Sequence, residues 1–282
     1  MAGLKKANND FEKVVSQIED ENIRNLNDAF EIAEDGYVHD VPLLAGYVDS
    51  EGKIHDTFTY REMTGKDEEA LNKAEVRQNG AKLVNTLVER CVVQIGSLTK
   101  KECGAKWGAI IREMLGGDLD YMAFKIRELS KGTEVEFTHK CPSCGTKLTT
   151  VVDTNEFNIK PYMGNSAIDF TLVRGYKDSK KGELHKEGTI RLPNGFDREV
   201  VTPMFKKNMS TAMTMLLTRL VSFNDDVSIT QNGISELSLR DRDILEKIIK
   251  DNAFGIDTVI EDIMCTSCGK DISGEIGQSN FF

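Results

Sequence analysis

The sequence predicts an α+β fold in which two tandem helix-strand-knuckle repeats share one zinc-ribbon-like metal site, with an N-terminal helical arm. Three observations predict it. Two C-x-x-C-G motifs, Cys141-Pro-Ser-Cys144-Gly145 and Cys265-Thr-Ser-Cys268-Gly269, stand far apart in the chain. Each follows the same preamble: an aspartate-rich helix start, an apolar helix, a glycine and an alternating strand. The first 50 residues carry seven of the ten excess negative charges, on a segment with helical periodicity.

Residues 8–34 read as an acidic helix. Phe11, Val14, Val15 and Ile18 share one face, followed by Leu26, Phe30 and Ala33, and Gly36 is the stop. Lys53 to Glu62 alternates as a strand. Thr64 opens a helix with Asp67 at the capping-box position. Leu83, Val84, Leu87, Val88, Cys91, Val92 and Ile95 make one apolar stripe, and Cys103, Trp107, Ile110, Ile111 and Met114 make the next. Cys91 and Cys103 therefore read as small core hydrophobes.

Asp118 starts a helix with Leu119, Met122, Ala123, Ile126 and Leu129 on its stripe, ending at Gly132. Strands are expected at 133–140 and 147–153, flanking the first knuckle. Residues 168–205 read as short strands, with a charged loop from Tyr176 to Glu187 and a turn at Pro193-Asn194-Gly195. Two more helices follow. One carries Met209 to Leu220; the other begins near Ser238, with Asp241 at the capping-box position, and ends at Gly255. A strand over 256–264 leads into the second knuckle, and the chain closes with Phe281-Phe282.

The two halves align. Asp118-Leu-Asp120-Tyr121 precedes Cys141 by the same kind of segment that joins Asp241-Arg-Asp243-Ile244 to Cys265. The upstream runs LVERCVV at 87–93 and LLTRLVS at 216–222 correspond loosely. Self-similarity of this kind defines a fold before its details do. The expected division is an acidic helical arm over 1–45, a first repeat over 46–165 with its knuckle at 141–145, and a second over 166–282 with its knuckle at 265–269.

Composition narrows the function. The chain has 282 residues, 36 Lys and Arg against 46 Asp and Glu, 39% hydrophobic and 29% charged residues. No run approaches the roughly 20 apolar residues of a membrane span, and the N-terminus has no apolar signal core. Nucleic-acid binders present a basic face to phosphates; here the excess is acidic. The expectation is no membrane, no nucleic acid and no small-molecule substrate. A chain of this size without an export signal has no need of a disulfide framework, so the paired cysteines point to metal thiolates.

Two residues between thiolates in a strand-turn-strand let both sulfurs reach one ion at about 2.3 Å. The glycine after the second cysteine adopts positive φ and turns backbone N–H groups toward the sulfurs. One knuckle supplies two ligands and a structural zinc needs four. Cys141, Cys144, Cys265 and Cys268 supply that number, which predicts one structural zinc per chain, with Lys140, Lys147 and Lys270 near enough in sequence to moderate its charge. Three other readings of the motifs remain: a redox pair, which usually opens a helix; a catalytic zinc, which needs an open position and for which His139 is the neighbouring histidine; and a site without metal. His39, His55 and His185 lie in polar contexts and are expected in solvent. Asp118, Asp120, Asp241 and Asp243 sit at helix starts, where capping is their expected role. The sequence contains no nucleophile elbow, P-loop, GxGxxG or HExxH motif, and no enzyme is expected.

The runs REMTGKDEEAL at 61–71 and LDYMAFKIRELSKG at 119–132, the two CxxCG knuckles, the second Asp-Arg-Asp helix and the terminal Phe281-Phe282 resemble tail-assembly and baseplate proteins of contractile-tailed bacteriophages. The similarity is to the T-even-type baseplate hub family, whose members carry zinc-ribbon-like knuckles. It covers about 50–282 and leaves out 1–45 and 176–187. The resemblance implies a structural or assembly role, other tail or baseplate proteins as partners, and a place in the virion tail baseplate or, during assembly, in the host cytoplasm. The alternative from another class is a zinc-ribbon nucleic-acid-binding or transcription accessory protein.

Overall fold

A computed structural model describes residues 32–164, 167–178, 180–223 and 227–275. Most of the expected arm helix and the terminal Phe281-Phe282 lie outside them. Strand β1 runs over Val38–Val48 and so crosses the expected boundary after residue 45. It pairs antiparallel with β2, Ile54–Tyr60. Helices α1 (Gly65–Leu71), α2 (Ala74–Arg77) and α3 (Gly80–Cys91) lead into β3, Val92–Ile95, and β4, Leu98–Thr99. The four strands form one sheet in the order β1-β2-β3-β4. Val92 and Ile95, expected on the α3 stripe, are buried strand residues instead. The β-branched run ends the helix at Cys91, because Val favours the pleated conformation.

The next apolar stripe is broken as well. It divides into α4 (Lys100–Cys103), a 3₁₀ turn over Gly104–Lys106, and α5 (Trp107–Glu113), with Gly104 at a φ of 52°. Cys91 is fully buried and Cys103 packs against the same core. Burial pushes the Cys91 thiol up to about 11, as expected for an inert core residue. Helix α6 (Gly116–Lys131) is the central helix. Leu119, Tyr121, Met122 and Ile126 on it are fully buried, and Gly132 at positive φ ends it.

Strands β5 (Glu134–Lys140) and β6 (Lys147–Asp153) flank the first knuckle as expected. The short β7 (Ile159–Lys160) follows, then β8 (Ala167–Lys177) and β9 (Leu184–Arg191). The expected loop from Tyr176 to Glu187 is much shorter, because Tyr176 pairs with His185 in the β8–β9 ladder. The expected strands do not reach 205: α7 occupies Gly195–Phe205, and Pro193-Asn194-Gly195 is its start, with Asn194 as the N-cap. Asparagine serves both turns and N-caps, which made the two readings hard to separate in sequence. Helix α8 (Met209–Leu220), β10 (Val221–Ser222), α9 (Gln231–Ser235) and α10 (Leu239–Asp251) complete this part, in a sheet ordered β10-β9-β8. Gly255 does not stop α10, which ends at Asp251. It begins β11, Gly255–Ile256, paired with β7. Strands β12 (Val259–Met264) and β13 (Asp271–Glu275) flank the second knuckle.

Two buried aspartates organise the entry helices. Asp67 accepts from Arg61 Nη1 at 2.7 Å and Arg90 Nε at 2.7 Å, and from the Thr64 N–H and hydroxyl. Arg61 also donates to the carbonyls of Glu62 and Arg90. Asp197 accepts from Arg191 Nη1 at 2.5 Å, Arg219 Nε at 2.7 Å and the Asn194 N–H, and Arg191 donates to the carbonyls of Leu192 and Arg219. Burial alone would raise these carboxyl pKa values. The guanidiniums and cap N–H groups outweigh it and hold both below the usual range.

Asp118 and Asp241 act differently from the helix caps expected of them. Asp118 accepts from the N–H groups of Leu44, Ala45 and Gly46, where β1 bulges. Asp241 accepts from those of Val173, Arg174 and Gly175, where β8 bulges. Each carboxylate thereby satisfies backbone donors that the interrupted ladder leaves open. Asp241 still contributes to its own cap through the Ser238 hydroxyl, 2.9 Å away.

The two parts meet along α3, α5, α6 and α7. Gly195 donates to the Met114 carbonyl and Gly116 to that of Pro193. Arg112 binds Glu89 at 2.6 Å and Glu199 at 3.0 Å, Asn85 donates to Glu199, and Arg198 binds Asp120 at 2.9 Å. Gly117 packs so closely on Phe254 that a Cβ there would lie 2.6 Å from the Phe254 carbonyl oxygen.

Candidate metal centre

The two knuckles come together. Cys141 Sγ lies 3.8 Å from Cys268 Sγ, and Cys144 Sγ 3.7 Å from Cys265 Sγ. All four sulfurs lie within 4.8 Å of one another, and they are the only cluster of metal-ligating side chains among the described residues. A tetrahedron with metal–sulfur bonds of about 2.3 Å has edges of about 3.8 Å. Two of the separations have that length, and the four sulfurs match the number and chemistry of a thiolate site that could hold a metal ion.

Each knuckle is built by its backbone. Cys141 N–H donates to the Thr146 carbonyl, and Gly145 N–H donates to the Cys141 carbonyl, both at 2.9 Å. The second knuckle repeats this pattern: Cys265 N–H meets the Lys270 carbonyl at 2.9 Å and Gly269 N–H the Cys265 carbonyl at 2.8 Å. Gly145 has a φ of 74° and Gly269 of 68°, conformations open mainly to glycine. The glycine N–H groups themselves close the turns on carbonyl oxygens, while the backbone of the next residue, Thr146 or Lys270, hydrogen-bonds to Cys144 or Cys268, as the positive φ predicts.

Burial within each pair is unequal. Cys141 and Cys265 are 1% exposed, and Cys144 and Cys268 face solvent. The buried pair packs with Phe124, Val135, Leu148, Val152 and Phe157 in a small core under the knuckles. The Thr146 hydroxyl lies 3.3 Å from Cys144 Sγ, and hydrogen bonding to Thr146, side chain and backbone, lowers the Cys144 thiol to about 6. Sequence reasoning passed over Thr146 because a threonine two residues after a cysteine carries no signal of its own.

The remaining flagged residues fall elsewhere. His55, expected in solvent, is 2% exposed, with Nε2 3.0 Å from Asp49 and Nδ1 accepting from the Ser97 N–H. His185 is mostly buried beside Phe223, and His39 is exposed next to Asp35. Among the described residues, no helix is long and apolar enough to cross a membrane.

A mixed helix and sheet fold with two cysteine knuckles brought into one cluster defines a class of four-cysteine modules that could hold a metal ion. The chain belongs to the T4 bacteriophage base plate protein family, whose model matches residues 47–276. The match runs through 176–187, the stretch the sequence resemblance had left out. Comparison with curated proteins and with solved structures gives no match.

Proposed function

We propose that this chain is a structural or assembly component of a contractile-tail baseplate, docking to neighbouring baseplate or hub proteins and stiffened by one structural zinc. The base plate family match over 47–276 carries the reading. Its place is the virion tail, reached through assembly in the host cytoplasm, and its work is non-catalytic: it binds protein neighbours rather than nucleic acid, membrane or a small substrate.

Cys141, Cys144, Cys265 and Cys268 hold the ion in this reading, which the clustering of their sulfurs within 4.8 Å supports. Four thiolates and one Zn²⁺ leave a net charge of −2. The ion acts as a clip between two related units, one over 46–165 and one over 166–282. Support for the relatedness comes from side chains outside the knuckles. Arg61, Asp67 and Arg90 make the contacts that Arg191, Asp197 and Arg219 make, and Asp118 grips its bulge as Asp241 grips another.

The amphipathic acidic segment 8–34 is the docking arm, with Phe281-Phe282 as a weaker contact. Removing residues 1–35 tests this. Co-expressed with baseplate neighbours, the full chain should assemble, whereas the truncated chain should keep its fold and metal but stay free. Normal assembly of the truncated chain would remove the arm from the contact, and failure of the full chain to assemble would remove the baseplate role.

A further inference from the structure

Helix α7 leaves one apolar face uncovered. Phe196 is 38% and Val200 44% exposed; one turn on, Pro203 and Met204 are half-buried. Phe196, Val200 and Pro203, at i, i+4 and i+7, share one side of the helix, turned away from the buried Val201, and Met204 borders it on the side of Asp197. Packing does not require this face to be apolar, as the corresponding helix demonstrates. Counted from their capping-box aspartates, Phe196 and Val200 of α7 correspond to Lys66 and Ala70 of α1. There the same solvent-facing side carries a charge and a methyl group. Lys206 and Lys207, both exposed, follow the α7 face directly.

We propose that residues 8–21 of this same chain cover the α7 face. They present Phe11, Val14, Val15 and Ile18 at positions i, i+3, i+4 and i+7, a stripe suited to lie along an apolar helix. Around that stripe stand Asp10, Glu12, Glu19, Asp20 and Glu21 against Lys13 alone. This acidic rim complements Lys206 and Lys207, and charge complementarity of this kind selects a partner as well as attracting it. The described part of the chain begins at Ile32. The 14 residues from Ile18 to Ile32 reach ~45 Å when extended, enough to cross much of a compact chain of this size. A segment tethered this way meets the face at an effective concentration on the order of millimolar, ahead of any second copy in dilute solution. The free chain thus keeps its docking arm on its own body, and a neighbour must displace it. The inference rests on the amphipathic reading of the arm used above but not on assembly, since it concerns the isolated full chain.

The test is photo-crosslinking within the full-length protein, with benzoylphenylalanine in place of Phe196, an exposed site where a larger ring is tolerated. Crosslinks to residues 8–21 are expected, located by mass spectrometry. Mixing isotopically heavy and light chains should leave those crosslinks within single chains. Phe11→Asp combined with Ile18→Asp should reduce the yield about tenfold or more, as losing two buried apolar anchors implies, with the melting temperature lowered by no more than a few degrees. Heavy–light products would assign the face to a second copy and overturn the proposal. So would crosslinks that survive the double substitution, or an absence of crosslinks to 8–21.

Discussion

Cys141 Sγ and Cys268 Sγ lie 3.8 Å apart although 127 positions of sequence separate them. The contact joins the first cysteine of one knuckle to the last cysteine of the other, so a metal held between them would close a loop of that length. By analogy with a disulfide, closing a loop of that length contributes up to roughly 5 kcal/mol.

Elemental analysis of the purified, reduced protein should give about one zinc per chain. Chelation should lower the melting temperature cooperatively, because binding and folding are coupled when thiolates close a site. Cys141→Ser should abolish stoichiometric metal, and a variant that keeps it would remove Cys141 from the site.

Asp118 gives a pH dependence of unusual sign. Burial raises its carboxyl to about 6, against the lowering effect of the Ala45, Leu44 and Gly46 N–H groups. The folded state therefore holds this proton more tightly than the unfolded chain. Its contribution to stability is full below about pH 4 and is lost as pH rises through 6, by about 3 kcal/mol. Asp118→Asn should lack this slope. Denaturant midpoints of both proteins between pH 4.5 and 7 should diverge, and a pH-invariant difference would refute the assignment. Asp241, with the same kind of donors plus the Ser238 hydroxyl, is shifted downward instead.

Asp197→Ala should cost about 3 kcal/mol in urea unfolding, since it strands Arg191 and Arg219 and removes the α7 cap. The value belongs at the low end for a buried ion network because both guanidiniums are about 40% exposed. Asp67→Ala should behave alike. A loss below about 1 kcal/mol at both sites would mean that solvent replaces the network at little cost.

Gly117→Ala separates propensity from packing. Alanine favours a helix over glycine by about 1 kcal/mol. The new Cβ would, however, meet the Phe254 ring at 2.5 Å and its carbonyl oxygen at 2.6 Å. Backbone cannot yield as a flexible side chain can, so the variant should be destabilised by about 1–3 kcal/mol. A gain in stability would mean that this close approach relaxes freely.

Local chemistry was legible in the sequence. The four cysteines, the glycines that close their turns, the capping box at Asp67, the strands flanking the first knuckle and the stop of α6 at Gly132 all follow from short-range rules of spacing and propensity. The partner of a buried charge was not legible. Asp118 and Asp241 looked like helix caps because a carboxylate at a helix start has a local use. Only the packed structure places the β1 and β8 bulges over them. His55 looked solvated among polar neighbours until the fold enclosed it beside Asp49. The break between α3 and β3 was hidden because a continuous apolar stripe satisfies helix and strand equally when both are buried. The sequence by itself determined which residues can bind a metal and that two knuckles are needed for four ligands. The tertiary structure decided that the two pairs meet in one cluster, because contacts across more than a hundred residues depend on how the helices between them pack.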